Sequence, residues 1–190
     1  VCLTHDVDFL KIKQHFCDKT MFGFLYRSII DSSLKLFKQK IKLKKYIKNI
    51  KSAILLPFVY IGIFDDYFYK LKKYIDLEKN LGATFFVVPF KNNPGVDTEG
   101  IIQNKRSAKY DVDDIRDEIA ELRANGFEIG LHGINAWIDV NQAQLEADRV
   151  KELIGDIDIG VRMHWLYSDS SMYKKLEDTG FTYDSSAGYN

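Results

Sequence analysis

The chain has 190 residues, enough for one domain with a sizeable hydrophobic core. Its 27 lysine and arginine residues balance 27 aspartate and glutamate residues, so the formal net charge is zero. This balance argues against a nucleic-acid partner and against a general attraction of the whole chain to anionic surfaces. Cys2 and Cys17 form neither a disulfide framework nor a zinc-finger spacing, and leave open whether the protein works at the cell envelope or in the cytoplasm.

The first predicted element is a buried strand at Val1–Thr4, which two aspartates follow closely. Asp6 and Asp8 are two positions apart, so their side chains point the same way while the chain stays extended. Two like charges this close repel unless a cation or a shared proton lies between them. We predict that one carboxylate binds a metal ion and the other stays free as a base. A solvated turn is the alternative.

A basic segment, residues 10–63, follows the first strand and predicts a helical insertion. Between Lys11 and Lys51, only Asp18 and Asp31 are acidic. Apolar and basic residues alternate at roughly helical spacing over Leu34–Lys48, which predicts one or two basic amphipathic helices. Either these helices are a solvated excursion packed on the main domain, or they contact a membrane surface or an anionic polymer.

The remainder of the chain alternates predicted helices with short apolar runs, which is typical of a parallel sheet or barrel. A closed barrel of eight units needs more residues than this chain has. We therefore expect an α/β fold that is an open sheet or the N-terminal part of a barrel. The predicted helices are Asp66–Leu81, Val112–Ala124, Asn141–Ile154 and Ser170–Thr179, and the predicted strands are Ala83–Pro89, Phe127–His132, Ile157–His164 and Phe181–Asp184.

Two of these predicted strands end in histidines, His132 and His164. The carboxyl ends of parallel strands share one face of the sheet, and α/β active sites form there. Both histidines can therefore meet the aspartates near the first strand. An aspartate with two histidines is a common ligand set for zinc and related divalent metals, and such a metal activates water for hydrolysis. A structural role is the alternative for each histidine.

The strand that leads to His164 also carries Arg162 and Trp165. If the strand persists, Arg162 and His164 share a face. The guanidinium group of Arg162 can then hold a carboxylate through two hydrogen bonds. Trp165 offers a flat surface for a sugar ring and is predicted to bind substrate. An ordinary amphipathic strand end is the alternative.

Five short motifs in this order resemble those of the NodB-type polysaccharide deacetylases. The resemblance covers most of the chain outside the basic insertion. Each motif is weak by itself, and the order and spacing of all five make the resemblance specific. The motifs are Thr4–Asp8, Ala83–Phe86, Glu128–His132, Arg162–His164 and Gly180–Ser186.

The resemblance implies a distorted (β/α) barrel with a divalent metal, most often zinc. It also implies release of acetate from N- or O-acetylated polysaccharides or oligosaccharides. By the resemblance Asp6 is the catalytic base, and Arg162 belongs to the catalytic set because it helps to hold the site. Asp8 and His132 are metal ligands. Residues 1–190 would form one such domain, truncated at the C-terminus, because the later motifs of the family would lie beyond Asn190.

The chain departs from the family pattern at two positions. Ala136 stands where the family has the second histidine of a pair that begins at His132. His164 stands where the family usually has proline. We hypothesise that His164 replaces the missing ligand. A degenerate deacetylase-like domain that binds glycans without turnover is the alternative, and an interaction protein that uses the basic helices is a third interpretation.

Overall fold

The structure is a computed structural model that describes residues 3–69, 71–104, 107–155 and 158–187. Val1, Cys2 and Ile157, which fall in two predicted strands, lie outside the described residues. The chain divides into two compact units. The first consists of Val1–Phe9 and Leu71–Asn190, and the second is Leu10–Lys70.

The first unit contains a parallel sheet of four strands in the order β1-β2-β3-β4. Helices separate β2, β3 and β4 along the chain, so the predicted α/β class is confirmed. The arrangement is compatible with part of a β/α barrel, and the described residues do not close one. The strands are β1 (Leu3–Val7), β2 (Ala83–Val87), β3 (Glu128–Gly133) and β4 (Val161–Met163).

Two of the predicted helices, those from Asp66 and from Val112, begin several residues later in the structure. The predicted helix from Val112 is divided into a 3-10 turn, Val112–Ile115, and a following α-helix. The described α-helices are α1 (Lys19–Tyr26), α2 (Ser32–Phe37), α3 (Leu43–Tyr60), α4 (Leu71–Glu78), α5 (Arg116–Ala124), α6 (Val140–Ile154) and α7 (Met172–Thr179).

The two faces of the sheet have different chemistry because side chains alternate along each strand. One face is apolar and buried, with Phe85, Leu131 and Val161 among its residues. Helices α5 and α6 pack against β3. The opposite face carries Asp6, His132 and other polar side chains. This polar face is the one that builds the site described below.

Strand β1 is half-buried, whereas the sequence predicted a buried strand. Asp6 is exposed within it. Among the described strands, β1 has a neighbour on one side only, which is β2. An edge strand keeps part of its surface in solvent, which explains the difference.

Asp66 does not begin the helix predicted at Asp66–Leu81. Its carboxylate accepts hydrogen bonds from the backbone N–H groups of Ile12 at 2.8 Å, Lys13 at 3.0 Å and Phe68 at 3.0 Å. Without this carboxylate, three backbone N–H groups would lack a charged hydrogen-bond partner. The Asp66 side chain therefore stabilises a turn at this point, where the sequence predicted the start of a helix. The described helix α4, Leu71–Glu78, is therefore shorter than the predicted helix Asp66–Leu81.

The strand predicted at Ile157–His164 ends at Met163, and His164 lies in a 3-10 turn. Trp165 and Leu166 adopt left-handed backbone conformations with φ of 63° and 55°, which a strand cannot accommodate. Arg162 and His164 therefore do not share a strand face. The predicted strand at Phe181–Asp184 is reduced to a single parallel bridge with β4.

The second unit is helical, and its core contains Ile12, Met21, Leu56 and Val59. The sequence predicted one or two basic helices over Leu34–Lys48, and the structure has two, the end of α2 and the start of α3. None of the described helices is long and apolar enough to cross a bilayer.

Gly160 provides a test of the packing beneath the polar face. A Cβ atom at this position would stand 2.0 Å from Cζ of Tyr183. We expect Gly160→Ala to lower the free energy of unfolding by about 1–3 kcal/mol through overpacking. Chemical denaturation measures this change.

The matched control is Gly23→Ala in α1, where the nearest atom belongs to the flexible side chain of Arg27, at 3.3 Å. This variant should be neutral or slightly more stable, because alanine favours a helix over glycine by about 1 kcal/mol. Equal effects at the two positions would contradict the packing argument.

Candidate metal centre

Strand register brings the predicted site residues to one edge of the sheet. Val7, Val87, Leu131 and Val161 are successive partners across the four strands. The residue that follows each of these four lies at the carboxyl edge of the sheet, and its side chain is on the face opposite to theirs. Three of these next residues are polar, and they are Asp8, His132 and Arg162.

One carboxylate oxygen of Asp8 lies between two imidazoles. Nε2 of His132 is 3.1 Å from Oδ1 of Asp8, and Nδ1 of His164 is 3.2 Å from the same oxygen. The two imidazole rings meet edge to face with centroids 4.7 Å apart. Both histidines are buried, whereas Asp8 is partly open to solvent. The cluster is therefore accessible from the side of the carboxylate.

The tautomer of His132 follows from its other ring nitrogen. Nδ1 lies 3.0 Å from the backbone carbonyl oxygen of Arg162, and a carbonyl can only accept. Nδ1 therefore carries a proton and donates it to this oxygen. In a neutral ring, the lone pair of Nε2 then faces Oδ1 of Asp8. Two acceptors at this distance require either a second proton on the ring or a cation between them.

The donor set fits a divalent metal ion. The three ligand atoms of Asp8, His132 and His164 all lie within 4.8 Å of one another. Neighbouring ligands of a tetrahedral zinc with bonds of about 2.1 Å are roughly 3.4 Å apart, and two of the observed separations, 3.1 Å and 3.2 Å, come close to this value. Carboxylate and imidazole also suit other divalent metals, so zinc itself stays a prediction.

The ionisation of Asp8 favours cation binding. Burial by itself would raise the pKa of this carboxyl group. Hydrogen bonds and charge interactions with His132 and His164 outweigh burial and hold the pKa of Asp8 well below its ordinary value. Asp8 is therefore a carboxylate at neutral pH.

Arg162 organises the second carboxylate. Its Nη1 donates to Oδ1 of Asp6 at 2.8 Å, and its Nη2 donates to Oγ1 of Thr4 at 3.0 Å and to Oγ of Ser185 at 2.6 Å. The guanidinium carbon lies 4.6 Å above the ring of Phe86. These contacts fix the guanidinium group, so Arg162 positions Asp6.

Asp6, Asp8 and His132 line a common cleft with a volume of about 460 Å³. Trp165 also lines the cleft, and about half of its surface is exposed. Its left-handed backbone is unusual for a residue other than glycine, and such strain is concentrated at functional sites. The cleft therefore combines carboxylates, an imidazole and an exposed indole.

Ala136, at the position of the absent second histidine, is fully buried. Glu146 of α6 holds the loop before it by accepting hydrogen bonds from the backbone N–H groups of Ile134 at 2.7 Å and Asn135 at 2.8 Å. A histidine at position 136 would require buried neighbours to move. The second imidazole of the candidate ligand cluster, His164, comes from the turn after β4 instead.

Tyr110 connects the ends of the first two strands. Its hydroxyl donates to the carbonyl oxygen of Val7, and it accepts a hydrogen bond from the backbone N–H of Val88 at 3.2 Å. Burial raises the pKa of Tyr110 well above its ordinary value, so the hydroxyl keeps its proton and remains a donor. The bond to Val7 fixes the peptide that directly precedes Asp8.

The structure brings together the predicted ligands and places the predicted base, Asp6, in the same cleft. The sequence prediction missed Tyr110 and gave no role to Thr4 and Ser185. The only feature of the sequence that singled out Tyr110 was its position at the end of a polar loop, residues 91–110. Thr4 and Ser185 lay within the recognised motifs, but their contact with Arg162 depends on tertiary structure.

Comparison with known proteins finds a similarity in structure. No protein-family model matches the chain, and no curated protein matches it in sequence. In structure, the chain is similar to a crystal structure of a "putative polysaccharide deacetylase" from Mycobacterium smegmatis, with 16% sequence identity and a TM-score of 0.46. The similarity covers 96% of this chain and 49% of that protein, so the chain spans about half of its length. A similarity of this degree carries no information about the chemistry of the site.

We expect Tyr110→Phe to lower the free energy of unfolding by about 1–3 kcal/mol, because it leaves a buried carbonyl and a buried N–H without their partner. Tyr173→Phe on the exposed side of α7 is the control and should leave stability unchanged. Denaturant titration of both variants measures the difference. A Tyr110→Phe variant as stable as the parent would show that the hydroxyl is not needed.

Proposed function

We propose that the chain belongs to a metal-dependent hydrolase that removes acetyl groups from an N- or O-acetylated polysaccharide. One observation carries this proposal. Asp6, a carboxylate positioned by Arg162, lines the same cleft as Asp8 and His132. These two residues form a ligand cluster with His164. Hydrolysis of an amide or ester needs both a ligand set of this kind and a free base.

Each residue has a defined task in this chemistry. Asp8, His132 and His164 would hold a divalent ion, which supplies activation of water and polarisation of the acetyl carbonyl. Asp6 takes the proton from the attacking water as the new C–O bond forms. The bond from the acetyl carbon to the sugar nitrogen or oxygen then breaks, acetate leaves, and the sugar atom takes up the proton.

The cleft offers a surface suited to a carbohydrate. Sugar rings present apolar C–H faces that stack on aromatic side chains, and Trp165 exposes its indole beside the carboxylates. Arg162 keeps Asp6 oriented throughout, because its guanidinium group is also held by Thr4 and Ser185. The motif resemblance described for the sequence supports the same substrate class.

A second candidate function is glycan binding without turnover. The buried Ala136 favours it, because the histidine pair implied by the motif resemblance is incomplete. The metal content of the protein distinguishes the two candidates. A protein that takes up no divalent metal, yet binds acetylated glycans, would support the binding module and contradict the hydrolase.

The ligand role of His164 is tested by metal analysis of the full-length protein. Loss of a side chain that only orients a metal ligand typically lowers metal affinity by roughly 10–100-fold. We expect His164→Ala to lower zinc affinity by more than this, because it removes a ligand itself. Asp8→Ala should have a similar effect. Elemental analysis after dialysis, together with zinc titration, measures the change.

His15→Ala is the matched control, because it also removes a buried histidine that contacts an aspartate, Asp18 at 2.7 Å, but in the other unit. Zinc affinity should be unchanged in this variant. If His164→Ala bound zinc as tightly as the parent protein, the three-ligand cluster would be wrong.

The role of Asp6 is tested by acetate release from a panel of N- and O-acetylated glycans. Asp6→Asn should lower kcat by about 10²–10⁴-fold, because the amide cannot act as a general base. Metal content should stay unchanged, since Asp6 is outside the ligand cluster. Asp178→Asn on the exposed surface of α7 controls for the loss of one negative charge, and full activity in Asp6→Asn would exclude this residue as the base.

A further inference from the structure

The two units carry opposite charge. Within Leu10–Lys70 there are 13 lysine and arginine residues and 4 aspartates, a net charge of +9. The remainder of the chain must carry −9, because the total is zero. Eight of the lysines lie between Lys35 and Lys51, and all eight are exposed. The balanced total therefore conceals a strongly basic surface.

Helix α3 has two apolar faces, and only one of them contributes to the core. Leu56 and Val59 are buried. Leu43, Ile47 and Ile54 are 59%, 56% and 65% exposed. They are spaced by four and seven residues, which places them on one common side of the helix, away from the buried pair.

The exposed face extends into a shallow groove of about 250 Å³. Ile47, Ile54 and Lys51 are among its lining residues, so apolar and basic groups meet in one surface. Phe37 at the end of α2 is 88% exposed, an unusual position for a phenylalanine. A group of large exposed apolar side chains bordered by charged residues is typical of an interaction surface.

An anionic bilayer satisfies both the charge and the apolar side chains. A soluble polyanion would neutralise the lysines but would leave Ile47 and Ile54 in water. A second copy of the unit would cover the isoleucines but would bring two surfaces of net charge +9 together, which repel. Lys44, Lys48 and Lys51 lie along one side of this exposed apolar face of α3. A helix that combines lysines with large exposed apolar residues is typical of binding in the plane of the membrane interface.

We propose that the unit Leu10–Lys70 binds the surface of an anionic lipid bilayer. The side chains of Leu43, Ile47 and Ile54 enter the boundary between headgroups and acyl chains. The lysines of α3 lie against the headgroups. The unit would then hold the protein at a membrane, independently of whether the candidate metal centre is catalytic.

Vesicle sedimentation of the full-length protein tests this proposal. We compare phosphatidylcholine vesicles with vesicles that also contain phosphatidylglycerol, at low and at high salt. Binding should require the anionic lipid and should weaken as salt rises, because added ions screen the attraction. Failure to bind anionic vesicles at low salt, or equal binding to both vesicle types, would overturn the proposal.

Two variants separate the contributions of charge and apolar surface. The triple variant Lys44→Gln, Lys48→Gln and Lys51→Gln should lower the partition coefficient by about a hundredfold, since each lysine near an anionic surface contributes roughly fivefold. The double variant Ile47→Ser and Ile54→Ser should lower it by at least about tenfold, because apolar area inserted into the interface is lost.

Matched controls come from α4 and its C-terminal end in the first unit. Lys72→Gln, Lys73→Gln and Lys79→Gln remove the same charge, and Leu77→Ser and Leu81→Ser remove equally exposed apolar residues. Both controls should bind vesicles like the parent protein. Equal losses in variants and controls would overturn the proposal.

Two further results would assign the surface to another partner. Binding to heparin that depends on the lysines, with no loss in the isoleucine variant and no vesicle binding, would indicate a soluble polyanion. A dimer in gel filtration without lipid that dissociates in the isoleucine variant would indicate a second copy. Either result would overturn the membrane proposal.

Discussion

The hydrogen bond from Nδ1 of His132 to the carbonyl oxygen of Arg162 is the contact on which the candidate site depends. It fixes the protonated nitrogen of the ring and directs the other nitrogen at Asp8. The same arginine uses its guanidinium group to hold Asp6. One residue of β4 therefore determines the geometry of both carboxylates, through its backbone on one side and its side chain on the other.

The sheet makes this arrangement possible by leaving space on its polar face. Gly130 lies in β3 and Gly160 directly precedes β4. A Cβ atom on Gly130 would collide with the ring of Phe86, and one on Gly160 would collide with the ring of Tyr183. The ring of Phe86 in turn lies beneath the guanidinium group of Arg162. Glycine at these positions is therefore a steric requirement of the aromatic layer that supports the arginine, and no special backbone conformation is involved.

The basic unit, Leu10–Lys70, differs from the sheet in how its apolar side chains are distributed. Its small core contains apolar residues such as Ile12 and Leu56, while many other large apolar side chains remain exposed. The combination of exposed apolar and basic side chains is the basis of the proposed binding to an anionic bilayer.

Local sequence pattern was sufficient for much of the fold and part of the site. Alternating apolar runs and capped helices predicted the α/β class, because strand and helix periodicities are local properties. The strand ends predicted the meeting of Asp8 and His132, since parallel strands end on one face.

The turn after β4, which carries His164 to Asp8, was decided by tertiary structure, because a left-handed Trp165 is stable only when surrounding contacts determine it. The same holds for Tyr110, whose hydroxyl joins two strand ends that the sequence separates by about eighty residues.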